Sequence, residues 1–169
     1  MKKIIIAIDS FKGCLTSAEA GKAAEKGIKS INPSCHTSVI PIADGGEGLL
    51  DVLITATKGK YITLSAHGPL MKMAKTHYGL SGNGRTAIIE MAAISGLPLV
   101  PIEQRNPMLT TTFGTGELIK DALNKGCRNF IIGIGGSATN DAGLGMLQAL
   151  GFRFLDKSGH TLGTGGQIM

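Results

Sequence analysis

The chain has 169 residues, 43% of them hydrophobic, and a formal net charge of +5 at pH 7. This hydrophobic content excludes a disordered chain, and the length suits one ordinary domain or two small ones. The basic residues are scattered and aromatic residues make up only 4%, which argues against a nucleic-acid surface, whereas a mild positive field suits a small anionic substrate.

No apolar run approaches the roughly 18–20 residues of a membrane helix, and the N-terminal apolar run is too short for a signal peptide. The cysteines are Cys14, Cys35 and Cys127, and no pair of them has metal-ligand spacing. We therefore expect a cytoplasmic protein with free thiols and without a membrane or nucleic-acid partner.

The first part of the chain alternates between strand and helix patterns. Its opening apolar run, "KKIIIAID", is continuous, which is typical of a strand buried on both faces of a parallel sheet. Thr16 and Glu19 fit a capping box at the start of a helix, and Gly59 fits a helix stop. The pattern predicts strands over 2–9 and 36–43 and helices over 16–30 and 47–59.

The middle of the chain changes to consecutive strands. These are predicted over 61–68, 74–80 and 85–92, with "GNG" at 82–84 as a hairpin turn. This meander marks a domain boundary near residue 65. We expect a first α/β domain over 1–64 and a second, mixed α/β domain over 65–169.

The α/β alternation then resumes. Thr115 is the predicted N-cap of a helix that stops at Gly126. A strand, a glycine-containing helix and a short strand follow. They are predicted over 129–135, 141–151 and 152–156.

Two polar loops follow the first two predicted strands, at the strand ends where ligands bind in open α/β sheets. Asp9, Ser10 and Lys12 in the first loop suit a polar substrate, with Lys12 as a point charge for phosphate. The alternative is an ordinary loop with a solvated lysine.

The second loop, "ADGGEG", places acids on both sides of a glycine pair. Gly45 and Gly46 allow close backbone approach, and helix N-terminal amides favour an anion. Asp44 and Glu47 offer the oxygen ligands that Mg²⁺ prefers. The alternative is turn chemistry, with Glu47 as an ordinary first-turn helix acid.

Two later stretches also have phosphate-binding character. "LTTTFGTGEL" places hydroxyls and amides before a helix, although an N-cap after a β-type threonine run is the more common explanation. In "IIGIGGSATNDAG", Gly133–Ala138 matches the dinucleotide fingerprint G-x-G-x-x-A, and Asp156 follows at the appropriate spacing. Asp141 opposes that interpretation, because a carboxylate repels a pyrophosphate unless a cation lies between them.

Asp141 instead favours phosphoryl transfer. In such sites amides hold the phosphate, here those of Gly135–Ser137, and a carboxylate holds Mg²⁺ or accepts the alcohol proton. The alternative is that Asp141 only stabilises a helix dipole.

Taken together, the motifs resemble the bacterial-type glycerate kinase family. The matching stretches occur in order over essentially the whole chain: "IAIDSFKGCLTSAEA", "PIADGGEG", "HGPL", "TAIIEMAAISGL", "NPMLTTTFGTGELI" and "IIGIGGSATNDAGLGMLQALG". The resemblance implies a kinase that transfers the ATP γ-phosphoryl group to D-glycerate with Mg²⁺, with 2-phosphoglycerate as the favoured product. It also implies two α/β domains with the site in the cleft between them, the first with a Rossmann- or flavodoxin-like parallel sheet and the second mixed α/β.

The resemblance also implies roles for individual residues. Asp141 would be the catalytic base or a metal-orienting acid, and Lys12 would neutralise the phosphate or the glycerate carboxylate. The substrate-binding set is Asp9, Ser10, Asp44, Gly45, Gly46 and Glu47. The phosphate- or nucleotide-binding set is Thr115, Gly116, Glu117, Gly135, Gly136, Ser137, Thr139 and Asn140. The metal ligands would come from Asp44, Glu47 and Asp141.

The chain departs from the family pattern in places. Cys14 stands where serine is common, Met71 replaces the usual glycine after Gly-Pro-Leu, and Ala142 and Leu144 replace smaller residues beside Asp141. Family members are about twice as long, so we expect an N-terminal half with an incomplete second domain. Two other functions stay open: a dinucleotide-binding oxidoreductase through Gly133–Ala138, and an inactive fragment or assembly module. Assembly as a homo-oligomer also stays open.

Overall fold

A computed structural model describes residues 3–169 of the chain. Strands and helices alternate at both ends of this range, with a strand meander between them. The strands are β1 (Lys3–Ile6), β2 (His36–Val39), β3 (Lys60–His67), β4 (Met73–Leu80), β5 (Thr86–Glu90) and β6 (Asn129–Gly133). The helices are α1 (Ser17–Ile31), α2 (Leu49–Thr57), α3 (Ala92–Ser95), α4 (Phe113–Asn124) and α5 (Leu144–Ala149), with short 3₁₀ turns at 97–99, 102–104 and 166–168.

The strands form two sheets. β1 and β2 pair in parallel, and the other sheet has the order β3-β4-β5-β6. In that sheet β4 runs antiparallel to β3 and β5, whereas β5 and β6 are parallel. β3, β5 and β6 therefore run in the same direction, and their carboxyl ends lie at the same edge of the sheet. The prediction of a parallel sheet followed by a mixed α/β region is confirmed.

Helices cover both faces of the second sheet. Ile88 packs with Leu50 and Ile54 of α2, whereas its neighbour Ile89 packs with α4 residues such as Leu118. This alternation follows from the two-residue period of a strand. Gly79 lets α2 approach closely, because a Cβ there would lie 2.7 Å from Leu50 Cδ1.

The first helix begins as the sequence predicts. The Thr16 hydroxyl accepts the Glu19 N–H at 3.2 Å, and Glu19 Oε2 accepts the Thr16 N–H at 2.8 Å. The predicted hairpin also forms, because the Gly84 N–H donates to Ser81 O and closes the turn between β4 and β5.

Other predicted elements differ from the structure. The segment over 152–156 is not a strand: it makes only an isolated bridge between Leu155 and Thr161. β1 is not buried on both faces, since Ile5 is 59% exposed and β1 pairs only with β2 within the described range. The helix predicted from residue 141 begins at Leu144, because Asp141 binds amides that precede the helix.

The predicted domain boundary between residues 64 and 65 falls inside β3, which pairs with β4 along its whole length. α2 also packs on the second sheet, although it precedes that boundary. A chain turn lies between α2 and β3 at Lys58, which has a φ of 53°. No helix within residues 3–169 is both long and apolar enough to cross a membrane.

Candidate functional site

The loops that follow β2 and β6 meet through glycine backbones. The Gly135 N–H donates to Gly45 O at 3.2 Å. A Cβ on Gly135 would lie 2.7 Å from Gly46 Cα, and a Cβ on Gly133 would lie 2.5 Å from Gly45 O. Only glycine permits this approach. The structure therefore places two of the predicted phosphate-binding loops side by side, and we call this contact the glycine junction.

The glycine junction leaves amides for a ligand on one side. Of the three predicted phosphate amides, that of Gly135 is occupied by Gly45 O. The N–H groups of Gly136 and Ser137 donate to no acceptor within residues 3–169, and Gly136 is exposed with a φ of 73°. The Ser137 hydroxyl bonds the Thr139 hydroxyl at 2.7 Å and accepts the Thr139 N–H, which folds the next residues into a tight turn.

The acids of the loop over 44–48 are accessible. Asp44 and Glu47 are both exposed, and Asp44 Oδ1 accepts the Gly46 N–H at 3.0 Å. The second Asp44 oxygen and the whole Glu47 carboxylate make no hydrogen bond within the described residues. Both side chains can therefore serve a ligand or a cation.

Glu90 is a site residue that sequence reasoning missed. It ends β5 opposite Gly133 of β6, and its Oε2 accepts the Leu50 N–H at 3.3 Å. Burial raises the pKa of the Glu90 carboxyl, and the negative charge of Asp51 adds to the effect, while the Leu50 amide opposes it. Glu90 thus caps α2 from another element, since the N-cap residue Gly48 has no side chain. Its position at the carboxyl end of a predicted strand was the signal available in the sequence.

Asp141 is enclosed rather than presented to solvent. It is only 1% exposed. Its Oδ2 accepts the Thr112 N–H at 2.8 Å, the Thr111 hydroxyl at 3.1 Å and the Gly145 N–H at 3.2 Å. Its Oδ1 accepts the Gly143 N–H at 3.1 Å, and the Thr112 hydroxyl lies within 3.1 Å of both oxygens.

This geometry joins the starts of α4 and α5. Thr112 and Gly143 are the N-cap residues of these helices, and a carboxylate is favourable at a helix N-terminus. Gly145 is required beside it, because a Cβ there would lie 2.0 Å from the Thr111 hydroxyl oxygen. A base or metal ligand must reach the substrate or the ion, and Asp141 is only 1% exposed in this structure. Its hydrogen bonds tie the starts of α4 and α5 together, and its catalytic or metal-binding role stays a prediction.

The predicted metal ligands do not come together. Within residues 3–169 no three His, Cys, Asp or Glu side chains form a group that could hold a metal. The carboxylate of Asp141 is buried, so it does not fit a shared site with Asp44 and Glu47. Asp44 and Glu47 fit Mg²⁺ without a third carboxylate, because Mg²⁺ usually takes one or two protein carboxylates and completes its shell with water and substrate phosphates.

Thr115 and Gly116 lie inside α4, not at its start. The helix begins at Phe113, and Thr112 rather than Thr115 is the N-cap. The Thr115 hydroxyl bonds Ser95 Oγ at 2.8 Å in a buried pair. A Cβ on Gly116 would lie 2.3 Å from a backbone oxygen of α5. The contacts of both residues are thus accounted for by packing, and we do not propose that either binds phosphate.

Glu117 faces the turn after β3. Its carboxylate accepts the His67 N–H at 2.7 Å and lies 2.9 Å from His67 Nδ1. The His67 ring also packs edge-on against Phe113, with centroids 5.5 Å apart. Glu117 therefore fixes the turn of the "HGPL" motif. Its contacts are with that turn and not with the glycine junction.

The residues after β1 line a separate cavity. A cavity of about 420 Å³ lies between the segment over 10–19 and α2, and both Ser10 and Lys12 line it together with Glu47. Asp9 does not line the cavity, and its Oδ1 accepts the Ser10 N–H at 2.7 Å. The structure thus brings together the predicted Ser10, Lys12 and Glu47.

The dinucleotide fingerprint is not formed. α5 begins at Leu144, well after Ala138, so no helix N-terminus faces the glycines as that fingerprint requires. Asp156 does not end a strand; its Oδ1 accepts the Ser158 and His160 N–H groups in an exposed turn. Asn140 is exposed in the same long loop that separates β6 from α5.

The fold and the site define an α/β protein in which glycine loops meet at strand ends, beside accessible carboxylates. Backbone amides at such loops are common ligands of phosphate groups in α/β proteins. The model of the glycerate kinase family matches residues 4–169, and the chain belongs to that family.

Named relatives agree with this membership. The chain is 56% identical over 97% of its length to a glycerate kinase of Bacillus subtilis (strain 168), and 51% identical over 97% to a glycerate 2-kinase of Escherichia coli (strain K12). It covers 43% of each of those relatives. A crystal structure from Salmonella typhimurium LT2, of a protein provisionally named glycerate kinase 2, matches 99% of the chain and 46% of its own length, with a TM-score of 0.85 and 48% identity. The chain thus spans less than half of the proteins it resembles.

Proposed function

We propose that this chain forms part of a glycerate kinase that transfers the γ-phosphoryl group of ATP to a hydroxyl of D-glycerate. An O–P bond to glycerate forms, the bond between the γ-phosphorus and the β,γ-bridging oxygen breaks, and ADP and a proton are released. We favour the 2-hydroxyl as acceptor, in keeping with the name of the Escherichia coli relative. The observation that carries the proposal is the glycine junction, where open amides and accessible acids lie together.

The proposed roles follow from accessibility. The amides of Gly136 and Ser137 hold phosphate oxygens, because they have no acceptor within residues 3–169 and amides of this kind are good anion ligands. Lys12 supplies a positive charge for phosphate from the exposed loop after β1. Asp44 and Glu47 bind Mg²⁺ or the glycerate hydroxyls. Bound Mg²⁺ would neutralise the negative charge that develops on the phosphate oxygens during phosphoryl transfer.

Other residues act through position. Asp141 holds the start of α5, and hence the loop over 134–143, in place through the threonines that precede α4. Glu90 holds the start of α2 and the loop before it. We propose that the two sheet regions form the walls of a cleft around the glycine junction. A cytoplasmic location fits a reaction that consumes ATP.

The proposal is tested by measuring ADP formation in a coupled assay of the full-length protein that contains this chain, with ATP, D-glycerate and Mg²⁺. We expect glycerate-dependent ADP formation, and a decrease of at least about 10–100-fold in kcat/KM for Glu47→Gln, because loss of a residue that only orients a metal ligand already costs this much. Glu103→Gln is the matched control, because Glu103 is exposed in a 3₁₀ turn outside the site. Phosphorus NMR of the product distinguishes 2- from 3-phosphoglycerate. Absence of glycerate-dependent ADP formation would contradict the proposal.

A further inference from the structure

The cavity beside α2 is larger and more apolar than the proposed acceptor needs. We propose that it binds the nucleoside part of the phosphoryl donor, a purine with its ribose. This inference rests on the proposed function, since it presupposes a nucleotide donor. It adds a site for the base and ribose, which is distinct from the residues that the resemblance assigns to phosphate or nucleotide binding.

Size and lining favour a nucleoside over glycerate. The volume of about 420 Å³ lies within the range of roughly 300–1,000 Å³ that is common for ligand pockets. Much of the wall is apolar and comes from Phe11, Leu15, Ile42 and Val52. A small hydroxy acid in this cavity would bury its carboxylate and hydroxyls against apolar side chains, and their desolvation would weaken binding. A purine instead places apolar ring faces against these side chains.

Phe11 is the only aromatic residue that lines the cavity, and it lies in a closed backbone turn. Phe11 is 56% exposed, and its backbone forms a closed turn in which the Phe11 N–H donates to Leu15 O at 2.9 Å and Leu15 returns a bond at 3.0 Å. A ring presented in this way is a platform for stacking with a flat base. The turn fixes the backbone from which the ring projects.

The floor of the cavity is also preformed. The Ser17 hydroxyl, which is buried, donates to Ile8 O at 2.6 Å and accepts the Ile42 N–H at 3.0 Å. These bonds tie the start of α1 to the chain that leaves each strand of the first sheet. A rigid wall limits the entropy that binding must remove.

The polar residues of the cavity lead to the glycine junction. Lys12 and Glu47 both line it, and Glu47 directly follows Gly46, which contacts Gly135. A nucleoside in the cavity would carry its phosphates on the side of Lys12 and Glu47, the lining residues from which the chain leads to the glycine junction. This assigns Lys12 to phosphate rather than to the glycerate carboxylate.

Amide chemical-shift mapping tests the inference directly. Adenosine, which has no phosphate to bind elsewhere, is titrated into the ¹⁵N-labelled chain. We expect shifts in residues 10–19 and 51–55, with a Kd of about 0.1–1 mM, as suits a small uncharged ligand. Shifts confined to other residues, no shifts, or shifts of this segment by D-glycerate instead of adenosine would overturn the inference.

A pair of substitutions on one helix adds a second measurement. Val52→Phe fills the cavity and should weaken adenosine binding at least about tenfold. Ala56→Phe adds the same ring at an exposed α2 position outside the cavity and should leave binding unchanged. Unchanged affinity in a folded Val52→Phe variant would overturn the inference, and if that variant fails to fold, the map of the unsubstituted chain decides.

The assay of ADP formation separates this inference from the proposed function. Glycerate-dependent ADP formation with adenosine bound outside the cavity would overturn the inference and leave the proposed function standing. Adenosine bound in the cavity without phosphorylation of glycerate would support the inference and contradict the proposed acceptor.

Discussion

Two acidic glycine loops of this molecule differ in what their acids do. In the loop after β2, Asp44 and Glu47 are exposed, and their carboxylates accept one hydrogen bond, from the Gly46 N–H to Asp44. In the loop after β6, Asp141 is 1% exposed and accepts bonds from two helix starts. Both loops resemble phosphate sites in sequence. Only the loop after β2 exposes its carboxylates to solvent. We therefore expect ligand binding in that loop and a structural role for the acid of the loop after β6.

The difference has a physical cause. A buried carboxylate is stable only when its oxygens are hydrogen-bonded. Once Thr111, Thr112 and the amides of Gly143 and Gly145 supply those bonds, little capacity remains for a substrate. An exposed carboxylate needs no such partners and remains free to bind a ligand. The following substitutions probe this contrast, from the largest expected effect to the smallest.

Asp141→Ala should have the largest effect on stability. It leaves buried amides and hydroxyls without an acceptor at the starts of α4 and α5. Removing one side of such a buried charged network costs about 3–5 kcal/mol. Urea unfolding measures this loss. A variant with the stability of the unsubstituted chain but no activity would show instead that Asp141 is a catalytic group.

Gly145→Ala should disrupt the same network from the other side. The new Cβ would lie 2.0 Å from Thr111 Oγ1 and 2.8 Å from Asp141 Oδ2, so we expect a loss of about 2 kcal/mol or more. Gly27→Ala is the control, because a Cβ there meets nothing within 4 Å in an exposed turn of α1. That change should stabilise the chain by up to about 1 kcal/mol. Equal effects of the two changes would contradict the account.

Met71→Gly should stabilise the chain modestly. Met71 has a φ of 59°, in the left-handed region that favours glycine, and it occupies the position where the family resemblance led us to expect glycine. Relief of that strain, less the extra chain entropy of glycine, predicts a gain of about 0.5–1 kcal/mol in the free energy of unfolding. Thermal unfolding detects it. A lower melting temperature would mean that Met71 makes a compensating contact.

Glu90→Gln should have the smallest effect, visible as a change in pH dependence. Burial raises the pKa of Glu90 in the folded chain above its ordinary value of 4.5. Its contribution to stability is therefore fully present below that value and is lost as pH rises through the folded-state pKa. Relative to Glu90→Gln, the unsubstituted chain should lose stability as the pH rises above about 4.5. Parallel curves for the two proteins would contradict the raised pKa.

The sequence predicted most of the fold because its signals are local. The capping box of Thr16 and Glu19, the "GNG" hairpin and the meander all depend on nearby residues, and all are present. The strand expected over 152–156 failed because pairing depends on a neighbour that local pattern does not reveal. The predicted boundary near residue 65 falls inside β3, whose pairing with β4 also depends on a neighbour that local pattern does not reveal.

The sequence predicted which loops form the site, but it did not predict how deeply each residue of those loops is buried. The glycine motifs singled out both of the loops that meet, because close backbone approach requires glycine. Burial depends on contacts distant in sequence, and Asp141 is enclosed by threonines about thirty residues earlier. Glu90 was missed for the converse reason: its significance comes from Leu50 of α2, far from it in the chain.

The comparison between the two loops is tested most directly by urea unfolding of Asp44→Asn and Asp141→Asn under identical conditions. The account predicts a change within about 0.5 kcal/mol for Asp44→Asn, which is exposed, and a loss of about 2–3 kcal/mol for Asp141→Asn, because an amide NH₂ would face buried donors. Equal losses, or a larger loss for Asp44→Asn, would contradict the assignment of Asp141 to architecture and of the loop over 44–48 to ligand binding.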